Sequence, residues 1–384
     1  MDFTLACDIM MDLEGSIRPA MYLARELNAK GYGVSVISPM MARDVEDHLK
    51  AGGMNPINLH ARLAAKGSGL SVLWFETWGR EAFLSLNSRH VTSDFSTTIN
   101  FSQVISVPSS VWYLQGPPSF ALKDMERELS TGFKIAYSFL KPAIEFADNR
   151  LINKMGKISS LVIANSKFCA SMYSQFGIKV HDVIYPPIDC REFKPSTTSP
   201  KGDYVLTYFG KETKFSVIKD VADSGVKVKA FGSKTPYIEK NLTKHPNVEF
   251  LGRVTTDQLL DLYSNALFTL FPFTHEPFGY IPLESMACGT PVLTYDSQGP
   301  SECVVNNFTG WLAHSDPEIT QETVKFWKEG IPSGYRHNCV KEASKFDKKV
   351  YTQSWLKILE FTSKDHTMSY PDVDTLRNNN YLTQ

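Results

Sequence analysis

Apolar and polar positions along this 384-residue chain recur in blocks of two lengths. Strand-length apolar runs at 3–9, 34–37, 161–164 and 183–185 alternate with longer stretches of helical spacing, such as 20–27. A second series, at 204–208, 226–231, 248–251, 267–270 and 291–295, follows the Pro-, Ser- and Thr-rich stretch 194–202, which reads as a linker. Strands that alternate with helices predict parallel sheets with helical crossovers, hence an α/β chain of two Rossmann-like, doubly wound domains. We place the first domain at 1–195, the second at 196–345, and a closing helix plus polar tail at 346–384, with apolar positions at Val350, Trp355, Leu356, Ile358, Leu359 and Phe361.

Composition narrows this picture only slightly. With 42% apolar residues the chain can bury two cores of ordinary size. Forty basic against 41 acidic residues leave a formal charge of -1, which predicts no global field for nucleic acid. Six cysteines are scattered without metal-ligand spacing, as expected of free buried thiols. The chain opens on strand-like residues without the basic start and apolar centre of a signal peptide, and no stretch approaches the roughly 18 apolar residues of a spanning helix. These features predict a cytoplasmic protein.

Candidate chemistry concentrates at Glu276-Pro-Phe-Gly-Tyr-Ile-Pro-Leu-Glu284-Ser-Met-Ala-Cys-Gly-Thr-Pro-Val292. The preceding apolar run reads as a buried strand, and Pro272 and Pro277 prevent a helix from continuing through it. Pro282 suits a first helical turn and Gly289-Thr-Pro a helix stop, so a helix is expected over 280–288. Its free N-H groups carry partial positive charge, and Gly279 lets a ligand approach the backbone, which suits a diphosphate. Glu284 and Glu276, acceptor-only carboxylates, suit the paired hydroxyls of a ribose and a hexose.

This string resembles the donor-site motif of retaining GT-B glycosyltransferases, glycosyltransferase family four. Ala164-Asn-Ser166, Tyr185-Pro-Pro-Ile-Asp189, Gly299-Pro-Ser-Glu302 and Thr309-Gly-Trp-Leu312 match the same family in its order. The resemblance implies a GT-B fold with the closing helix returning to the first domain. It also implies transfer of a sugar from a nucleoside diphosphate sugar to a hydroxyl acceptor, lipid-linked acceptors included, with retention and without metal or other cofactor. Glu276, Lys211 and Lys214 would be catalytic; Gly15, Arg253, Phe278, Gly279, Tyr280 and Glu284 would bind donor; Gln115 would contact sugar or acceptor.

The chain departs from the family in three places. Lys211 stands where an Arg is usual and its spacing to Lys214 is short; the loop holding Gly15 has one glycine instead of two; and Gln115 replaces a His, so that position cannot shuttle a proton at neutral pH. These departures keep a second class in view, a catalytically silent GT-B protein that binds a sugar nucleotide or partner. His275 reads as solvated or structural despite its neighbour Glu276. Asp372-Val-Asp374 resembles a metal motif of another glycosyltransferase class but lacks the strand before it. Residues 132–157 are aromatic and basic; they fit either a core helix with outward lysines or peripheral contact with an anionic membrane.

Overall fold

The computed structural model describes residues 2–13, 15–65, 70–88, 91, 97–126, 131–196, 200–232 and 241–364. Asp372 and Asp374 lie outside them. The chain divides into two compact units: Met1–Phe120, Phe139–Pro187 and Lys349–Gln384 form one, Ala121–Ser138 and Ile188–Lys348 the other. The division thus falls after 187 and 348, where the sequence reading put 195 and 345, and also after 120 and 138, where it put none.

In the first unit the strands are β1 (Asp2–Ala6), β2 (Gly33–Ser38), β3 (Asn55–Asn58), β4 (Thr97–Asn100), β5 (Ser109–Leu114), β6 (Ser159–Ala164) and β7 (Asp182–Val183). They pair in parallel in the order β3-β2-β1-β4-β5-β6-β7. In the second unit β8 (Val205–Phe209), β9 (Val228–Gly232), β10 (Val248–Gly252), β11 (Thr269–Phe271), β12 (Val292–Tyr295) and β13 (Gly310–Ala313) pair in the order β10-β9-β8-β11-β12-β13, again in parallel. Each sheet reverses its winding beside its first strand, at β1/β4 and at β8/β11, and such a reversal opens a crevice at the carboxyl ends of the strands. The apolar runs therefore mark nine of these thirteen strands and leave out β3, β4, β5 and β13, of which β3 and β4 carry too few apolar residues to stand out.

Apolar cores cover both faces of the first sheet. On one face the helix Arg18–Ala29 packs Leu23, Ala24 and Leu27 with Leu5, Val36 and Ile99. The helix Lys348–Lys364 joins this core through fully buried Trp355, whose ring lies 5.4 Å from Phe101 and 5.7 Å from Tyr113. Tyr351, not Val350, takes the inward position at its start: Tyr351 donates its hydroxyl to the Pro19 carbonyl at 2.9 Å, whereas Val350 is exposed. The helix Thr131–Ile158 turns Ala147, Leu151, Ile152 and Met155 inward on the other face. Among the described residues no helix is long and apolar enough to cross a membrane. No disulfide joins any of the six cysteines, and all but half-buried Cys190 are buried.

Candidate functional site

The second unit builds its site on the chain that leaves β11 beside the winding reversal. Helix Tyr280–Ala287 starts at Gly279, whose φ of 98° favours glycine. A Cβ there would lie 2.9 Å from the Pro300 ring, so any side chain would push the turn apart. Gly299 faces the same loop so closely that a Cβ would overlap the Pro277 carbonyl, and its N-H donates to the Glu276 carbonyl at 3.1 Å. The Gly299–Glu302 turn therefore props up the loop that carries Glu276.

The helix is fastened from behind by hydroxyls. Ser285 Oγ lies 2.7 Å from Thr269 Oγ1 and donates to the Thr290 carbonyl at 3.0 Å. Glu284, buried on the first turn and a half, accepts the Tyr263 hydroxyl at 3.1 Å. Tyr263 is held in turn by the helix Thr256–Asn265, whose start is set by a reciprocal cap between Thr255 and Gln258.

Half-buried Glu276 accepts the Phe278 N-H at 3.2 Å. Burial, reinforced by the nearby Glu212 carboxylate, pushes its pKa from 4.5 up to about 7. Tyr208, at the end of β8, lies amid the same charges. Burial and the carboxylates of Glu212, Glu276 and Glu284 hold its phenol above the ordinary range, while the Arg253 guanidinium acts in the opposite sense. Motif matching missed both Tyr208 and Glu212. Their signal was position: Tyr208 ends a strand at the reversal, and Glu212 lies between the two predicted lysines.

The other sequence candidates separate. Lys211 is exposed, with its ammonium 3.3 Å from Glu212. Lys214 is engaged elsewhere: its ammonium is 2.7 Å from Asp316 and 4.3 Å from the centre of the Tyr295 ring. Tyr295 belongs to the core shared with the helices Phe215–Asp223 and Asp316–Glu329, so this cation serves packing in the present arrangement. The Phe278 side chain is also core, its ring packed against Tyr280 and Phe346 at 6.0 Å each.

His275 is buried with Nδ1 2.8 Å from an Asp124 carboxylate oxygen, which agrees with a structural role. Gly15 and Gln115 belong to the first unit, after β1 and β5. Gly15 has φ 58° in open space, and Gln115 donates its side-chain N-H to the Phe101 carbonyl at 2.7 Å. Among the described residues no three His, Cys, Asp or Glu side chains cluster as a metal site.

A carboxylate before a left-handed glycine and another inside the following helix are what a polyhydroxylated anion requires, and comparison with known proteins bears on this. Residues 227–346 match the family of glycosyl transferases group 1. The matched segment lies within the second unit and covers about a third of the chain. Over 137 residues it is 32% identical to the alpha-1,3/1,6-mannosyltransferase ALG2 of Eremothecium gossypii, covering 32% of this chain and 27% of that protein. Over 66 residues it is 39% identical to the alpha-maltose-1-phosphate synthase of Mycobacterium tuberculosis, 17% of each chain. The matches thus span about a quarter or less of these curated relatives. Among solved structures, Anabaena HepE in complex with UDP and glucose superimposes with a TM-score of 0.66 at 17% identity, over 94% of this chain and 99% of that one. WaaG, a glycosyltransferase involved in lipopolysaccharide biosynthesis, gives 0.62 at 14% identity, over 91% and 98%. The chain has the GT-B fold of two Rossmann-like domains.

Proposed function

We propose that this chain is a glycosyltransferase that moves a sugar from a nucleoside diphosphate sugar to a hydroxyl acceptor with retention of configuration, and that it needs no metal. The carrying observation is the placement of Glu276 and Glu284 on either side of the Gly279 turn at the start of helix Tyr280–Ala287. Glu284, fixed by Tyr263, would accept from the ribose hydroxyls, and Glu276 from those of the transferred sugar. The diphosphate would lie against the N-H groups that follow Gly279.

As the bond between the anomeric carbon and the phosphate oxygen breaks, negative charge grows on the diphosphate. The helix N-terminus and Lys211 would oppose it, each such interaction contributing about 3 kcal/mol. Attack by the acceptor oxygen on the same face forms the new glycosidic bond, and the departing phosphate takes the acceptor proton. Glu276 orients the sugar in this scheme and does not attack it. Lys214 joins only by exchanging Asp316 for the diphosphate, and its present engagement favours one further reading, a silent sugar-nucleotide binder. The UDP and glucose held by Anabaena HepE support uridine diphosphate sugars as the first donors to try.

A thermal-shift panel of UDP-, GDP-, ADP- and dTDP-sugars in EDTA tests binding, repeated on Glu284→Ala. Stabilisation by one donor, lost in the variant, supports the reading; no shift with any donor counts against it. Slow donor hydrolysis without acceptor distinguishes an enzyme from a silent binder.

A further inference from the structure

The first unit carries an apolar surface that its own packing leaves uncovered. On helix Thr131–Ile158 the inward positions are Ala147, Leu151 and Met155. The opposite face carries Phe139, Pro142, Ala143, Phe146, Arg150 and Lys157, all exposed. Phe139 is 80% exposed and Phe146 59%, far from the usual place of such rings in a water-soluble fold. The surface continues onto the neighbouring helix Leu70–Leu84, where Phe83 stacks on Phe146 at 6.4 Å and Val72 and Phe75 share its exposed face.

Charge along the Phe139/Phe146 stripe has one sign. Arg150 and Lys157 extend the Phe139/Phe146 stripe, and neither enters an ion pair among the described residues. Lys154 flanks them, its ammonium 2.8 Å from Ser85 Oγ. The acids nearby are occupied within the unit: Glu76 accepts the Ala64 and Ala65 N-H groups, Glu81 those of Asn87 and Ser88, and buried Asp148 that of Ser119. Glu145 is exposed but lies to the side of the stripe. The exposed rings of helix Thr131–Ile158 are continued by cations with no carboxylate in the stripe, and Glu76, beside Val72 on the neighbouring helix, is held by the Ala64 and Ala65 N-H groups and by Arg80; such a face complements the interface of an anionic bilayer, where rings enter the headgroup layer and cations meet phosphates.

We infer that the Phe139/Phe146 face, with Phe83 and the Arg150/Lys157 end, docks peripherally on anionic phospholipid. This goes beyond the proposed transfer reaction and does not rest on it. The test is co-flotation of the full chain with phosphatidylcholine vesicles, with and without phosphatidylglycerol. The parent should float only with phosphatidylglycerol, and less so at high salt. Phe139→Ser/Phe146→Ser should lower the bound fraction roughly tenfold through lost apolar insertion, with unchanged thermal unfolding because both rings are exposed. Arg150→Gln/Lys157→Gln should do so by removing the charge component alone. Absence of parent flotation, flotation indifferent to both double variants, or a dimer by light scattering that the Phe variant dissolves without affecting flotation would each overturn the assignment.

Discussion

Two carboxylates beside the winding reversals of the two sheets have opposite fates. Asp8 follows β1, and Glu276 follows β11, each beside the winding reversal of its own sheet. Asp8 is saturated from within: Ser102 Oγ donates at 2.6 Å, the Gln103 N-H at 2.8 Å and Trp74 Nε1 at 2.8 Å. Glu276 accepts the Phe278 N-H and keeps acceptor capacity, beside a like charge that makes its ionised form costly. Burial raises both pKa values, yet the first group ties a loop to a sheet and the second is poised for a ligand. A perturbed carboxylate points to function when its lone pairs are unspent, and to architecture when they are not.

The largest effect expected from breaking this comparison is on transfer. Glu276→Ala should cut sugar transfer about 100- to 1000-fold while nucleotide binding and melting temperature persist, measured by initial rates and thermal shift. Asp8→Ala should do the reverse, stranding three donors and costing about 3–5 kcal/mol of unfolding free energy in urea. A Glu276→Ala variant with parental rates would remove the assignment of that residue.

Glu284→Ala should weaken nucleotide binding about 10- to 100-fold by calorimetry, since a buried acceptor next to Tyr263 is lost. A pH effect of smaller size separates Glu276 further. Its proton is held more tightly in the folded protein than in the unfolded chain between 4.5 and about 7, so stability falls as pH rises through that window and stays lower above it. Glu276→Gln should therefore raise stability by about 1–2 kcal/mol near pH 8 and leave it unchanged near pH 4. A variant less stable than the parent at the higher pH would show that the ionised carboxylate is well solvated.

The smallest contrast concerns the lysines. Lys214→Ala should lower stability by about 1 kcal/mol through the Asp316 pair, and Lys211→Ala should leave stability unchanged while slowing transfer. Equal loss of activity with no change in stability for Lys214→Ala would show that its ammonium leaves Asp316 when donor binds.

Much of the fold was legible because it rests on local pattern. Continuous apolar runs separated by amphipathic stretches can satisfy their backbone only as strands covered on both faces. The helix after Gly279 was equally readable, since Pro282 and Gly289 mark its limits. The site was legible only where its residues are contiguous. Tyr208 and Glu212 reach Glu276 from another strand, and the sheet order that brings β8 beside β11 is not written in the pattern of either segment.

By itself, then, the sequence determined the alternation of elements, the glycine turn and the two carboxylates of the donor motif, because these depend on neighbours along the chain. Tertiary structure decided which charged groups are spent and which are available. Asp8 and Lys214 look as chemically capable as Glu276 and Lys211 until Trp74, Ser102 and Asp316 arrive from distant segments. It also decided that Phe139 and Phe146 face outward, since the helix has more apolar sides than the first unit covers. The physical reason is common to both: hydrogen bonds and burial are completed by partners remote in sequence, and only their completion distinguishes a structural group from a functional one.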